Sequence, residues 1–329
     1  MTVRFHVGCL PNRPIGACLE MGRRAEDLGY TGIWIADSHS VMRDAYSILS
    51  VLAVQTKNLQ LASGVTLTVT RHPAVLANSW ATLQELSKGR AICGIGVGES
   101  AVYNLGLKPE KLAAFEEKLS VIRALLRGES VDYEGTELQM PWSSTEVPLV
   151  MASSGPKSLQ LAGRIADGVL FQVGADPSLV QYALDNIRMG AESAGRQLSD
   201  LKLYMRVATS VHPDRNTAQQ ALKGYTSVAA GTVFKTVPRS YFDDDLYEDL
   251  ERFKAAYDYA DHGSNESEHS NLLTERIFNA MAIACPPAEA TQRFRLLSEM
   301  GIDDFVLPFG MPDPIPYMET FAAQVSPNV

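Results

Sequence analysis

Gly64-Val65-Thr66-Leu67-Thr68-Val69-Thr70-Arg71-His72-Pro73-Ala74-Val75 runs from a strand through a loop into a helix. Residues 59–66 are rich in apolar and β-branched side chains, which favour extended backbone. Pro73 suits a first helical turn, because its missing N–H costs nothing there and its φ is already helical. The segment is therefore one strand–loop–helix unit, with its loop placed to face a ligand.

The same unit recurs in both directions along the chain. Apolar strands are expected at 3–10, 31–36, 59–66, 91–95, 148–152, 168–171, 201–211 and 305–309. Helices are expected at 15–28, 45–56 and 74–86. A further helix opens at Pro109, where Leu112, Phe115, Leu119, Ile122 and Leu126 recur at steps of three and four. Residues 131–138 read as a hairpin. Strands apolar throughout, alternating with amphipathic helices, imply a parallel sheet dry on both faces. Eight of them favour closure into an α/β (β/α)8 TIM barrel, a single domain over 1–329. A helical insertion of about 212–302 separates strands seven and eight and carries Asp243-Asp244-Asp245 and the polar stretch 261–266. Such insertions often cap the active face, although for the Asp run itself a solvated acidic surface is the favoured reading.

Composition narrows the function. The chain has 329 residues, 46% of them hydrophobic, and a formal net charge of -9 with no basic block, so nucleic acid is not an expected partner. The opening residues lack the apolar core of a secretion signal and no apolar run reaches spanning length, so a cytoplasmic protein without membrane contact is expected. Cys9, Cys18, Cys93 and Cys285 form no C-x-x-C pair, which argues against a disulfide framework and a cysteine-rich zinc site. No metal site is expected.

In a β/α barrel the active face lies at the C-terminal ends of the strands. The residues there include Asp37, His39, Val65, Thr66, Gly96, Gly98, Glu99, Ser153, Ser154, Gly155 and Pro156. Small residues allow a flat ligand to approach backbone closely. Gly94-Ile95-Gly96-Val97-Gly98 has the wrong spacing for the dinucleotide fingerprint. Ser153-Ser154-Gly155-Pro156 leads into a helix whose N-terminus suits a phosphate; an ordinary N-cap explains the same residues. His39 is the candidate proton donor and Asp37 a candidate hydrogen-bond acceptor, its alternative role being a turn cap. His6 and His72 read as packing residues.

Together, the segments 32–37 (GIWIAD), Gly64-Val65-Thr66 with 70–75 (TRHPAV), 83–98 (LQELSKGRAICGIGVG) and 152–168 (ASSGPKSLQLAGRIADG) resemble the bacterial luciferase-like flavin and deazaflavin oxidoreductases. The T-R-H-P segment is most similar to the branch containing methylenetetrahydromethanopterin reductase, which uses coenzyme F420. The resemblance implies a homodimer and a tricyclic cofactor across the C-terminal face. It also implies a non-proline cis peptide at Gly64–Val65 backing the ring, with Arg71, His72 and Pro73 setting up the third helix. Two departures stand out. Gly8 replaces the acidic residue that is that reductase's proton donor, so the pterin substrate is not carried over. Ser38 then His39 stand where many deazaflavin enzymes place His directly after Asp. The activity implied is hydride transfer between F420 and a small organic substrate with an electron-poor C=C, C=N or C=O, the proton coming from His39 or a bound water. The alternatives are an FMN-dependent monooxygenase and a non-catalytic flavin-binding protein, against which the polar pair Asp37 and His39 weighs.

Overall fold

A computed structural model describes residues 2–98, 100–257, 268–311 and 313–329. The polar stretch 261–266 and Glu99 lie outside the described residues. Eight parallel strands form the centre: β1 Arg4–Cys9, β2 Gly32–Ile35, β3 Gln60–Ser63, β4 Ala91–Gly96, β5 Leu149–Ser153, β6 Gly168–Phe171, β7 Lys202–Arg206 and β8 Asp304–Val306. Their order is β3-β2-β1-β8-β7-β6-β5-β4, and pairing of Leu61 with Ala91 and Ala62 with Ile92 joins β3 to β4. The sheet thus closes into a barrel, which removes its edges and leaves both faces to be buried. Around it pack α1 Ile15–Asp27, α2 Ala45–Gln55, α3 Pro73–Ser87, α4 Leu112–Leu126, α5 Pro156–Ile165 and α6 Pro177–Ser193. Val131–Tyr133 and Thr136–Leu138 form the expected antiparallel hairpin.

Four boundaries differ from the sequence expectation by more than one residue. Strand three stops at Ser63; the Gly64–Val65 peptide is cis, and Thr66–Leu67 then pairs alongside Ile95 and Gly96 of β4. The fourth helix begins at Leu112 rather than Pro109, because the Glu110 N–H is committed to Val97 O and keeps Pro109 in the loop. The run 201–211 is two strands: β7 stays in the barrel, whereas Ala208–Val211 leaves it to pair with Ala282–Cys285. No glycine, proline or turn residue marks that change of partner in the run. Strand eight ends at Val306, not 309.

Between β7 and β8 the chain builds α7 Arg215–Ala221, α8 Lys223–Thr236, α9 Asp244–Ala255, α10 Glu275–Met281 and α11 Pro287–Glu299. The Asp run has local partners: Asp243 accepts the Leu246 N–H at the start of α9, Asp244 pairs with Arg239, and Asp245 pairs with Arg276 at 3.0 Å. Among the described residues no helix is long and apolar enough to cross a membrane. All four cysteines are buried and free.

The barrel is filled, not hollow. Trp34, Ala62, Ile92, Val150, Leu170, Tyr204, Val306 and Phe309 pack in its interior. At the end opposite the strand C-termini, the buried Asp304 carboxylate accepts from Arg4 Nε at 2.8 Å, Arg4 Nη2 at 2.6 Å and His6 Nε2 at 2.9 Å. Burial holds His6 below its ordinary range, so the neutral ring donates its Nε2–H. Burial opposes ionisation of Asp304, but the bonds from Arg4 and His6 outweigh it and hold the carboxyl well below the usual carboxylate range. A depressed carboxylate stabilises the fold above its unfolded value of about 4 and loses that contribution as pH falls through and below it. Asp304→Ala is expected to cost about 3 kcal/mol at pH 7, and the gap to wild type should narrow below about pH 4, as read by urea unfolding at both pH values.

Candidate active site

The C-terminal ends of the strands surround a cavity of about 720 Å³. Its wall runs from Leu10, Ala36 and Asp37 past Gly64 and Val65 to Gly96 and Gly98, then Ser153 and Ser154, and round to Gln172, Arg206 and Phe309. Tyr103, in the short helical turn Ser100–Tyr103, and Thr232 and Thr236, on α8, also line it. Helix α8 belongs to the segment between β7 and β8 and thus reaches the site.

Phe309 sets the floor. A Cβ on Gly8 would stand 2.4 Å from Phe309 Cδ2, and one on Gly64 would stand 2.6 Å from its Cε1. Both positions therefore exclude side chains, and the ring occupies the space into which an acid at position 8 would project. On the side wall, a Cβ on Gly96 would lie 3.1 Å from Val65 Cγ2. Gly98 has φ +87°, a left-handed backbone that favours glycine. Beside Val65, Gly64, Gly96 and Gly98 line the cavity without side chains of their own. A flat polycyclic ligand needs such a surface, and the volume lies within the range of small-molecule sites. That surface, with Ser153 and Ser154 beside it in the lining, fits a deazaflavin or flavin.

Beside this wall lies a buried polar cluster. The Asp37 side chain is only 1% exposed. Its Oδ2 accepts from Arg71 Nη1 at 2.6 Å and from Thr66 Oγ1 at 2.9 Å. Tyr46 OH lies 2.9 Å from Thr66 Oγ1, and the Arg71 guanidinium stacks 4.5 Å from the centre of the Tyr46 ring. Burial pushes the Tyr46 phenol well above its ordinary range, so it stays protonated and able to donate. His39 Nδ1 lies 3.3 Å from Asp37 Oδ1, and His39 Nε2 lies 2.8 Å from Thr70 Oγ1 and 3.3 Å from Arg71 Nη1. Thr70 Oγ1 donates its own hydrogen to Leu67 O at 3.2 Å, so toward His39 Nε2 it is placed to accept, whereas Arg71 Nη1 is placed to donate. The loop before α3 is pinned from the other side by Lys118, whose Nζ reaches Glu110 at 2.5 Å and Thr68 O at 3.2 Å.

Of the residues singled out by sequence, Asp37, Gly64, Val65, Gly96, Gly98, Ser153 and Ser154 line the cavity. Thr66 is buried behind the wall, on Asp37. His39 also stands one layer back, beside Asp37 and Ser38 rather than in the wall. Gly155 and Pro156 begin α5 outside the cavity lining; Gly155 is the N-cap, and no side-chain cap bond is made there. Ser153 Oγ instead donates to Ser158 O at 3.1 Å, so the ordinary capping explanation for the Ser pair does not hold. His72 is the N-cap of α3, its Nδ1 accepting the Ala74 N–H.

Sequence reasoning missed Arg71, Tyr46, Phe309 and Arg206. It treated Arg71 as a residue that sets up the third helix, whereas the structure puts its guanidinium on Asp37. Only the pairing of a strand-end Asp with a loop Arg from the next unit signalled it, and nothing local joins the two.

Against known proteins, the luciferase-like monooxygenase family matches residues 2–304. The chain is 30% identical over 310 residues to a 5,10-methylenetetrahydromethanopterin reductase of Methanolobus tindarius, covering 92% of this chain and 93% of the relative. It is 32% identical over 231 residues to an F420-dependent glucose-6-phosphate dehydrogenase of Microbacterium testaceum, covering 64% of this chain and 69% of the relative. The solved coenzyme F420-dependent tetrahydromethanopterin reductase of Methanopyrus kandleri superposes with a TM-score of 0.82 at 25% identity, covering 99% of each chain.

Removing Arg71 leaves the Asp37 carboxylate buried without its main partner. Arg71→Ala is expected to destabilise the protein by about 3 kcal/mol, and Asp37→Asn in that background to restore part of it. Urea unfolding of the two single variants and the double variant measures the coupling; strictly additive losses would contradict it.

Proposed function

The chain belongs to the luciferase-like monooxygenase family, and from that premise we propose that it is an F420-dependent oxidoreductase acting on a small organic substrate with an electron-poor C=C, C=N or C=O. The observation that carries this reading is the backbone-lined wall Gly64, Val65, Gly96 and Gly98 at the mouth of a barrel similar, over nearly its full length, to F420-dependent reductases. When bound, the deazaflavin supplies or accepts a hydride. Gly64 and Val65 would back its ring, and Gly96 and Gly98 would let it approach the chain. Ser153, Ser154 and the uncapped start of α5 at Gly155 and Pro156 would take its phosphate. Glu99 completes the proposed binding set from sequence.

The protein's own part is positioning, dryness and a proton. Leu10, Met42, Leu67, Ala101, Leu170 and Phe309 exclude water from the pocket beside its polar edge. His39 would hold the proton, its Nδ1 standing 3.3 Å from Asp37 Oδ1. Because Asp37 reaches the cavity and His39 does not, the route from His39 to a substrate passes through the Asp37 carboxylate. Arg71 and Thr66 keep that carboxylate in place by binding its other oxygen. The reading includes a cytoplasmic homodimer: Val51, Val54, Val75 and Leu86 are exposed apolar residues on the neighbouring helices α2 and α3.

Fluorescence titration of the purified protein with F420 and with FMN separates the cofactor readings. Saturable F420 binding much tighter than FMN binding is expected; the reverse order would favour a flavin monooxygenase. With F420 bound and a substrate found by monitoring its oxidation, His39→Ala is expected to lower kcat about a hundredfold while F420 affinity changes little. An unchanged kcat would remove His39 from the reaction.

A further inference from the structure

The cavity wall holds one cation and one acid among the described residues, Arg206 and Asp37. They are not each other's partner. Asp37 is bound by Arg71 at 2.6 Å, which cancels its charge locally. Arg206, the last residue of β7, has no carboxylate within ion-pair distance among the described residues, and its Nε is buried with no hydrogen-bond partner. A buried N–H donor left unpaired is costly, and an uncompensated guanidinium more so. Two rings hold it in place: its guanidinium lies 4.5 Å from the centre of the Phe309 ring and 5.4 Å from that of Tyr225. Stacking fixes the planar fork but supplies no acceptor.

The position is as informative as the charge. Among the eight strands β7 is diametrically opposite β3, so Arg206 stands across the mouth from Gly64 and Val65. Phe309 lies between them, touching the space above Gly64 on one side and the guanidinium on the other. Thr232 and Thr236 of α8 overhang the cavity that Arg206 lines, and Tyr225 OH is held 3.4 Å from Gln172 Oε1. The site is thus asymmetric, with exposed backbone on one wall and an unpaired cation on the other.

We propose that Arg206 binds an oxyanion of the substrate, a carboxylate or a phosphate, so that the enzyme acts on an anionic substrate anchored opposite the ring-binding wall. This rests on the reading of the cavity as a redox site, and the ion's source is left to two arms of one test. Calorimetry on the F420-loaded protein uses matched small probes: glycerol 3-phosphate against glycerol, and propanoate against 1-propanol. At least one anion should bind saturably and its neutral counterpart should not. Arg206→Gln should weaken that anion about tenfold or more and Arg206→Lys less, because the fork is lost but the charge kept. F420 affinity, measured on the same variants, should stay within about twofold of wild type, as befits a residue outside the proposed ring wall. Phosphate-only or carboxylate-only binding identifies the source. Absence of saturable anion binding, an anion affinity indifferent to Arg206→Gln, or a loss of F420 affinity in that variant would each overturn the proposal. Failure of wild type to bind F420 at all would instead overturn the redox reading.

Discussion

The buried ion pair between Asp37 and Arg71 ties the end of one barrel strand to the loop that follows the next. Asp37 closes β2, and Arg71 stands just before α3, so the 2.6 Å bond fixes two adjacent strand–helix units against each other. Between them lie Gly64 and Val65, the wall of the cavity. Thr66 hands its hydroxyl hydrogen to the same carboxylate, Tyr46 supports Thr66 and stacks beneath Arg71, and His39 is oriented by the second carboxylate oxygen. A buried pair of this kind is costly to assemble but costlier to break. Its consequence here is a rigid wall, built from backbone, beside a carboxylate that reaches the cavity.

The opposite wall is built on another logic. Phe309 fills the barrel mouth because Gly8 and Gly64 leave room for it, and it carries the guanidinium of Arg206 on its other side. The same ring therefore explains an absence and a presence. No side chain at position 8 can enter the site, and a cation at position 206 is held flat and unpaired. On the function proposed, the two walls would divide the labour, one offering a surface to a planar group and the other a charge to whatever lies opposite.

Much of the barrel was legible in the sequence because its signals are local. Strands apolar in most positions and helices with one apolar stripe repeat at short range, and Pro73 and Pro156 mark helix starts to within a residue or so. Strand-end glycines and serines likewise reach the cavity, since the barrel fixes which end of each strand is the active one. What was not legible is long-range. The break at Val207 is invisible because no glycine, proline or turn residue marks it, though the two halves pair with different strands. Pro109 looks like a helix opener until the Glu110 N–H is seen bound to Val97 O. Arg71 and Arg206 are ordinary loop and strand-end arginines in the sequence; only the fold gives one a buried carboxylate and leaves the other with none. His39 shows the same limit in reverse, a residue of the right type whose ring stands one layer behind the wall.

The arrangement we propose puts a deazaflavin ring in this cavity against Gly64 and Val65. A crystal structure of the protein with F420 tests it. The expected result places the ring on the Gly64–Val65 wall with Gly96 and Gly98 at its edge and Arg206 across the pocket, clear of the cofactor. Density for the ring elsewhere, or a cofactor phosphate seated on Arg206, would contradict it.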